Sequence, residues 1–144
     1  MKPSSEIQQL MIRFYDEASK GNFDVVDGLV SHGDVRWIGT DPNEWWETPA
    51  AVSKAWRDQT AEIGAPVRIT AGDLVAYQQD NVAWLSDRPT FELADGRTVP
   101  FRLTAVWRRE PDGWRIVQFH SSVGVPNEKL VEEHAAAGDR HVHA

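Results

Sequence analysis

The chain contains no cysteine. Disulfides and thiolate metal sites are thereby excluded, and packing and hydrogen bonds must hold the fold. Basic residues are not in excess: 15 lysines and arginines stand against 22 aspartates and glutamates, a net charge of −7. Nucleic-acid binders lean on basic patches, so that partner class is set aside. No apolar run approaches the roughly 18 residues that a membrane span needs. Met1–Glu6 shows no basic stretch leading into an apolar one, so no secretory leader is expected and the expected location is cytoplasmic. Tyrosine is scarce, 2 against 7 tryptophans. Such bulk suits a deep aromatic-lined cavity or a large interface. At 144 residues the chain is long enough for one domain with a substantial core, expected over 1–126, with a short helix and tail over 127–144.

Ser4-Ser5-Glu6 can cap a helix whose apolar stripe is Ile7, Leu10, Met11, Phe14, Tyr15 and Ala18, stopped at Gly21. Asn22 or Asp24 opens a second helix carrying Val25, Val26, Leu29 and Val30. Val35–Gly39 reads as a short strand, followed by a turn at Thr40-Asp41-Pro42-Asn43-Glu44. Thr48-Pro49 starts a third helix, with Val52, Ala55, Trp56, Gln59 and Ile63 on one stripe and Gly64-Ala65-Pro66 at its end. From Val67 the period becomes two. One strand is predicted from Val67 to Tyr77, one from Val82 to about Leu93, and a hairpin after Asp95-Gly96. Helices followed by a run of strands make the class α+β.

That hairpin joins Thr98–Arg109 to Trp114–Ser122 through Glu110-Pro111-Asp112-Gly113, and Asp-Gly between apolar runs is a strong hairpin signal. Strict alternation puts Phe101, Leu103, Ala105 and Trp107 on one face, with Val117 and Phe119 as candidates to join them. It puts Val106, Trp114 and Ile116 on the other. Two apolar faces imply that one packs a core while the other meets a second copy of the chain, a homodimer through the convex face of the sheet.

The order of elements resembles the nuclear transport factor 2-like fold, in which a strongly curved, mixed or antiparallel sheet wraps N-terminal helices into a cone with a pocket. More narrowly, Thr104–Trp107 and Asp112–Ser122 resemble the SnoaL-like group, as does Ile38–Trp46. That group includes the association domain of calcium/calmodulin-dependent protein kinase II. That association domain lines its pocket with arginines that bind carboxylates, and the resemblance puts Ala105 and Ser121 at the matching hairpin positions here. A more distant resemblance, to ketosteroid isomerases, implies Tyr15 as a hydrogen-bond donor to an enolate and Asp41, before Pro42, as the proton-shuttling base. Their second donor falls near Ala105 or Val106, neither of which can donate. The resemblance implies no obligatory cofactor.

Each candidate has a plainer alternative. Asp41 is a general base or a turn aspartate bonded to its own backbone. Tyr15 is an oxyanion donor or a core-edge aromatic. His120, within a strand, is a supporting base or a structural hydrogen-bonding residue. Trp37, Trp45, Trp46, Trp56 and Trp84, with Phe119 and Ser121, line a ligand cavity or simply fill the cone. Of Trp45 and Trp46, one closes the mouth and the other is partly exposed. Arg88 with Asp87, then Arg102, are polar handles inside or members of cross-strand ion pairs outside. His141-Val142-His143 with Asp139 is assigned no metal. Three functions follow: a dimeric module binding a small organic molecule in an apolar pocket, an isomerase- or cyclase-like enzyme using Asp41 with Tyr15 or His120, or a non-catalytic association module.

Overall fold

The computed structural model describes residues 1–132. The expected fraying of Gly138–Ala144 and the histidines His134, His141 and His143 lie outside the described residues. The first half of the chain runs β1 (Lys2–Pro3), α1 (Ser5–Lys20), α2 (Phe23–Leu29), β2 (Arg36–Ile38), β3 (Trp45–Trp46) and α3 (Pro49–Ile63). The second half is β4 (Arg68–Thr70), β5 (Val75–Gln79), β6 (Val82–Asp87), β7 (Thr90–Glu92), β8 (Thr98–Pro100), β9 (Arg102–Glu110) and β10 (Gly113–Ser122). A further helix is described over 127–132.

α1 begins where the Ser4 hydroxyl accepts the Ile7 N–H at 3.2 Å and ends at Gly21, whose φ of +77° suits a residue without a side chain. Ile7, Met11, Phe14, Tyr15 and Ala18 are its buried face, each large one contributing roughly 1.5–3 kcal/mol of burial. The residues before it do more than cap: Lys2 and Pro3 pair with Gln78 and Tyr77, adding an edge strand.

Seven strands form the main sheet in the order β1-β5-β6-β9-β10-β2-β3, antiparallel except where β10 meets β2. A second sheet has the order β4-β7-β8. It arises because three strands predicted as continuous each break: Val67–Tyr77 at 71–74, Val82–Leu93 at Arg88-Pro89, and Thr98–Arg109 at Phe101. The breaks are stitched together. The Phe101 N–H donates to the Pro89 carbonyl at 3.0 Å. At Gly72 an added Cβ would stand 2.1 Å from the Arg88 carbonyl oxygen, a distance no side chain tolerates. Asp87 Oδ1 accepts the N–H groups of Gly72 at 3.1 Å, Asp73 at 2.7 Å and Arg88 at 2.7 Å. The bend therefore has its own polar lock, and it brings β4 against the C-terminal end of α1, where the Ile69 N–H donates to Ser19 Oγ at 2.8 Å.

The expected split of the hairpin faces is corrected. Trp114 and Ile116 are buried beside Leu103, Ala105 and Trp107, and do not face outward. Ile116 pairs with Trp107 but Gln118 pairs with Val106, so Val117 is an extra, bulged residue. The bulge resets the alternation, which lets Trp114, Ile116, Phe119 and Ser121 all point inward along one strand. Outward, the register lines up Tyr77, Trp84 and Val106 on three adjacent strands.

Candidate functional site

A third helix with a single fully buried residue marks the site. Thr48 caps α3 by accepting the Ala51 N–H at 3.1 Å, Pro49 occupies its first turn, and Gly64 closes it at φ +92°. Yet Val52 is its sole fully buried residue. Its stripe of Ala55, Trp56, Gln59, Thr60 and Ile63 instead fronts an open cavity of about 170 Å³. The helix is held on its other side. Arg57 donates to Asp27 at 3.0 Å and Asp24 at 2.9 Å, and Ser53 donates to Asp27 at 2.9 Å.

Opposite α3 the wall is the inner face of the main sheet. Trp37 of β2 stacks on Phe119 of β10 with ring centroids 4.0 Å apart and planes 6° apart. Their strands are paired, Phe119 opposite Trp37, which fixes the stack. Trp56 stands edge-on to Trp37 at 5.4 Å and lies parallel to Phe23 at 6.5 Å. The second sheet adds Ile69, Phe91 and Val99, and the break between β8 and β9 adds Phe101. Trp46 and the turn between β2 and β3 complete the wall. Seven aromatic side chains thus surround one space.

Polar residues in the wall are few: Thr40, Gln59, Thr60, Ser121 and Glu44. Glu44 is set by its turn. The Glu44 N–H donates to the Asp41 carbonyl at 2.9 Å, and the Asp41 N–H donates back to Glu44 Oε1 at 2.8 Å. The side chain folds over Gly39, where a Cβ would meet Glu44 Cβ at 2.8 Å and Oε2 at 2.9 Å.

The residues named for catalysis do not converge. Tyr15 is buried and absent from the cavity wall, its hydroxyl donating to Asp87 Oδ2 at 2.8 Å. Burial first, then the charge and hydrogen bond of Asp87, push the phenol well above its ordinary pKa, so it stays protonated. Asp41 is exposed, with Oδ1 accepting the Asn43 N–H at 2.9 Å in a local turn. His120 is exposed on the outer face, opposite Thr104 and Ile38. One phenol locks the bend, one carboxylate shapes a turn, and one imidazole faces away, so these three form no joint acid–base site.

Of the proposed ligand contacts, Trp37, Trp46, Trp56, Phe119 and Ser121 stand in the wall. Trp45 is 57% exposed because it alternates with Trp46 on β3, and Trp84 is on the outer face, its indole N–H on Met1 Sδ at 2.9 Å. Arg88 and Arg102 are exposed and border a shallow outer depression with His120 and Ser122. Arg88 lies 3.7 Å from Asp73, and Arg102 Nε donates to Ser122 Oγ at 3.3 Å. Handles inside the cone they are not. Glu44, Phe91 and Phe101 were missed as site residues. The visible signal for such a space was the stripe of α3, apolar yet interrupted by Gln59 and Thr60.

A curved sheet around helices, with an aromatic cavity inside, defines a cone of the nuclear transport factor 2-like, cystatin-like kind. The chain belongs to the SnoaL-like domain family, whose model matches residues 7–126. Among solved structures it is similar to a nuclear transport factor 2-like protein of unknown function from Pseudomonas putida KT2440, at 16% identity and TM-score 0.78 over 87% of this chain and 89% of that one. It is also similar to a candidate ketosteroid isomerase from Parabacteroides distasonis, at 21% identity and TM-score 0.69 over 85% of this chain and 91% of that one. A candidate calcium/calmodulin-dependent protein kinase II association domain from Xanthomonas campestris shares 20% identity, TM-score 0.71, over 83% of this chain and 86% of that one. These likenesses establish the fold. No curated protein matches the chain. Among the described residues, no helix is long and apolar enough to cross a membrane.

Proposed function

We propose that this protein binds a small, largely apolar organic molecule in the cavity between α3 and the curved sheet, and works as a homodimer through the outer sheet face. The observation that carries the reading is the open space behind α3: about 170 Å³ walled by seven aromatic rings. A dry cavity of about 150 Å³ is enough to take up benzene, so one ring with a short substituent fits here. Tryptophans that merely filled the cone would leave no such space, which favours a binding site over a self-filled association module. The nearby solved structures carry names from both catalysis and assembly, and this fold does not choose between them.

Trp37, Trp46 and Trp56 report occupancy directly, being in the wall. Titration with tert-butylbenzene is expected to change tryptophan emission with saturation. Ala55→Leu puts extra carbon into the cavity from α3 and is expected to abolish that response while keeping or slightly raising the melting temperature. An unsaturable response, or one that Ala55→Leu leaves intact, sinks the assignment of this cavity.

A further inference from the structure

We propose that the ligand carries a positive charge: the cavity is built for an apolar organic cation, an amine or quaternary ammonium on an aromatic or aliphatic body, with Glu44 as its counter-ion. This rests on the cavity being the binding site. Among the described residues lining it, Glu44 is the one formally charged side chain, and no lysine, arginine or histidine faces it across the space. Every other lining residue is apolar, aromatic or an uncharged hydroxyl or amide.

The carboxylate is held in place before any ligand arrives. The Asp41 N–H fixes Oε1 at 2.8 Å, and close packing over Gly39 fixes the rest of the side chain. Asp41-Pro42-Asn43 shapes the turn that does this, through the Asn43 N–H on Asp41 Oδ1 and the Glu44 N–H on the Asp41 carbonyl. Among the described residues Oε2 receives no hydrogen bond, so the carboxylate's charge is only partly matched within the protein. A neutral guest seated against it would strip water from a charge and return nothing. An anionic guest would meet a like charge with no cation to offset it. A cation would be stabilised twice, by the carboxylate and by the aromatic lining, since rings attract cations more strongly once water is excluded. The net charge of −7 adds a field that draws cations toward the molecule.

Three probes of similar size separate the possibilities: phenyltrimethylammonium, its neutral isostere tert-butylbenzene, and benzoate. Binding is measured by calorimetry and by ¹H–¹⁵N spectra of the full chain. The expected result is that phenyltrimethylammonium binds at least tenfold more tightly than tert-butylbenzene, with benzoate weakest. In Glu44→Gln, which keeps an oxygen for the Asp41 N–H, the preference for the cation is expected to shrink to within threefold while tert-butylbenzene binds as well or better. Gly39→Ala, which drives the Glu44 side chain off its seat, is expected to narrow the preference in the same direction. Equal or tighter binding of the neutral or anionic probe by the unaltered protein overturns this inference alone and leaves the cavity reading standing. So does a preference that survives Glu44→Gln unchanged. Failure of all three probes to bind overturns the cavity reading and this inference with it.

Discussion

In the sequence Tyr15 reads as a candidate oxyanion donor and Asp87 as a polar handle or ion-pair partner. Their burial turns them to another use. Asp87 accepts four hydrogen bonds, from Tyr15 and from three backbone N–H groups on both sides of the strand breaks. That ties α1 to the bend of the sheet, and the bend is what makes the cavity. Tyr15→Phe removes one hydrogen bond to a charged group and should cost about 2 kcal/mol at neutral pH. A second signature is specific to the phenol. Its pKa is raised in the fold, while an unfolded tyrosine titrates near 10. The stability it contributes is therefore complete below about pH 10 and falls as pH rises beyond that, because the unfolded chain alone releases the proton. Denaturation midpoints between pH 8 and 11 should fall more steeply for the unaltered protein than for Tyr15→Phe. Equal slopes would mean that the phenol is not held protonated.

At the scale of elements, α3 is the weak point of the cone, because one face looks into open space. Its attachment to α2 through Arg57, Ser53, Asp24 and Asp27 substitutes for the burial it lacks. These side chains are partly exposed, Arg57 by 40% and Asp27 by 34%, so solvent screens the pairs. Asp27→Ala should therefore lower global stability by only about 1 kcal/mol. Amide exchange along Val52–Ile63 should nevertheless accelerate severalfold while Ile7–Ala18 is unchanged, since α1 buries five residues in the core and α3 only Val52. Unchanged exchange in α3 would show that something else anchors it. The same contrast explains what was legible in the sequence. Thr48, Pro49, Gly21 and Gly64 announce helix ends because capping is local chemistry. The breaks at Ala71–Leu74 and Phe101 leave the period of two nearly undisturbed, and the Val117 bulge exists only relative to its partner strand. Trp37 and Trp84 are alike as residue types. Register alone sends one into the cavity and the other to the outer face. Glu44 read as a turn residue, which it is; that its side chain also stands in the cavity wall depends on close packing over Gly39 across the hairpin.

For the whole molecule, the bulge moves the argument for self-association from Trp114 and Ile116 to a different set of residues. With those two inside, the outer face still presents Trp84, 40% exposed and stacked on Tyr77 at 5.0 Å, beside Val106 on the next strand. Val82 at 49% exposed continues the patch at the end of the same strand. Covering the face of β5, β6, β9 and β10 with an identical face would bring the buried area toward the roughly 800 Å² per partner that stable pairs use. In the proposed dimer Trp84 would be the anchor by size and position, since central aromatic residues dominate such interfaces. Sedimentation equilibrium should give a dimer for the unaltered protein and a monomer for Trp84→Glu. The cavity lies on the opposite side of the sheet, so the Trp84→Glu monomer should still take up the probes with affinities changed by less than about threefold, under 1 kcal/mol. A monomer in the unaltered protein at high concentration would remove the dimer from the proposal. Loss of ligand binding in a folded Trp84→Glu monomer would mean instead that the two faces of the sheet are coupled, and that assembly shapes the cavity.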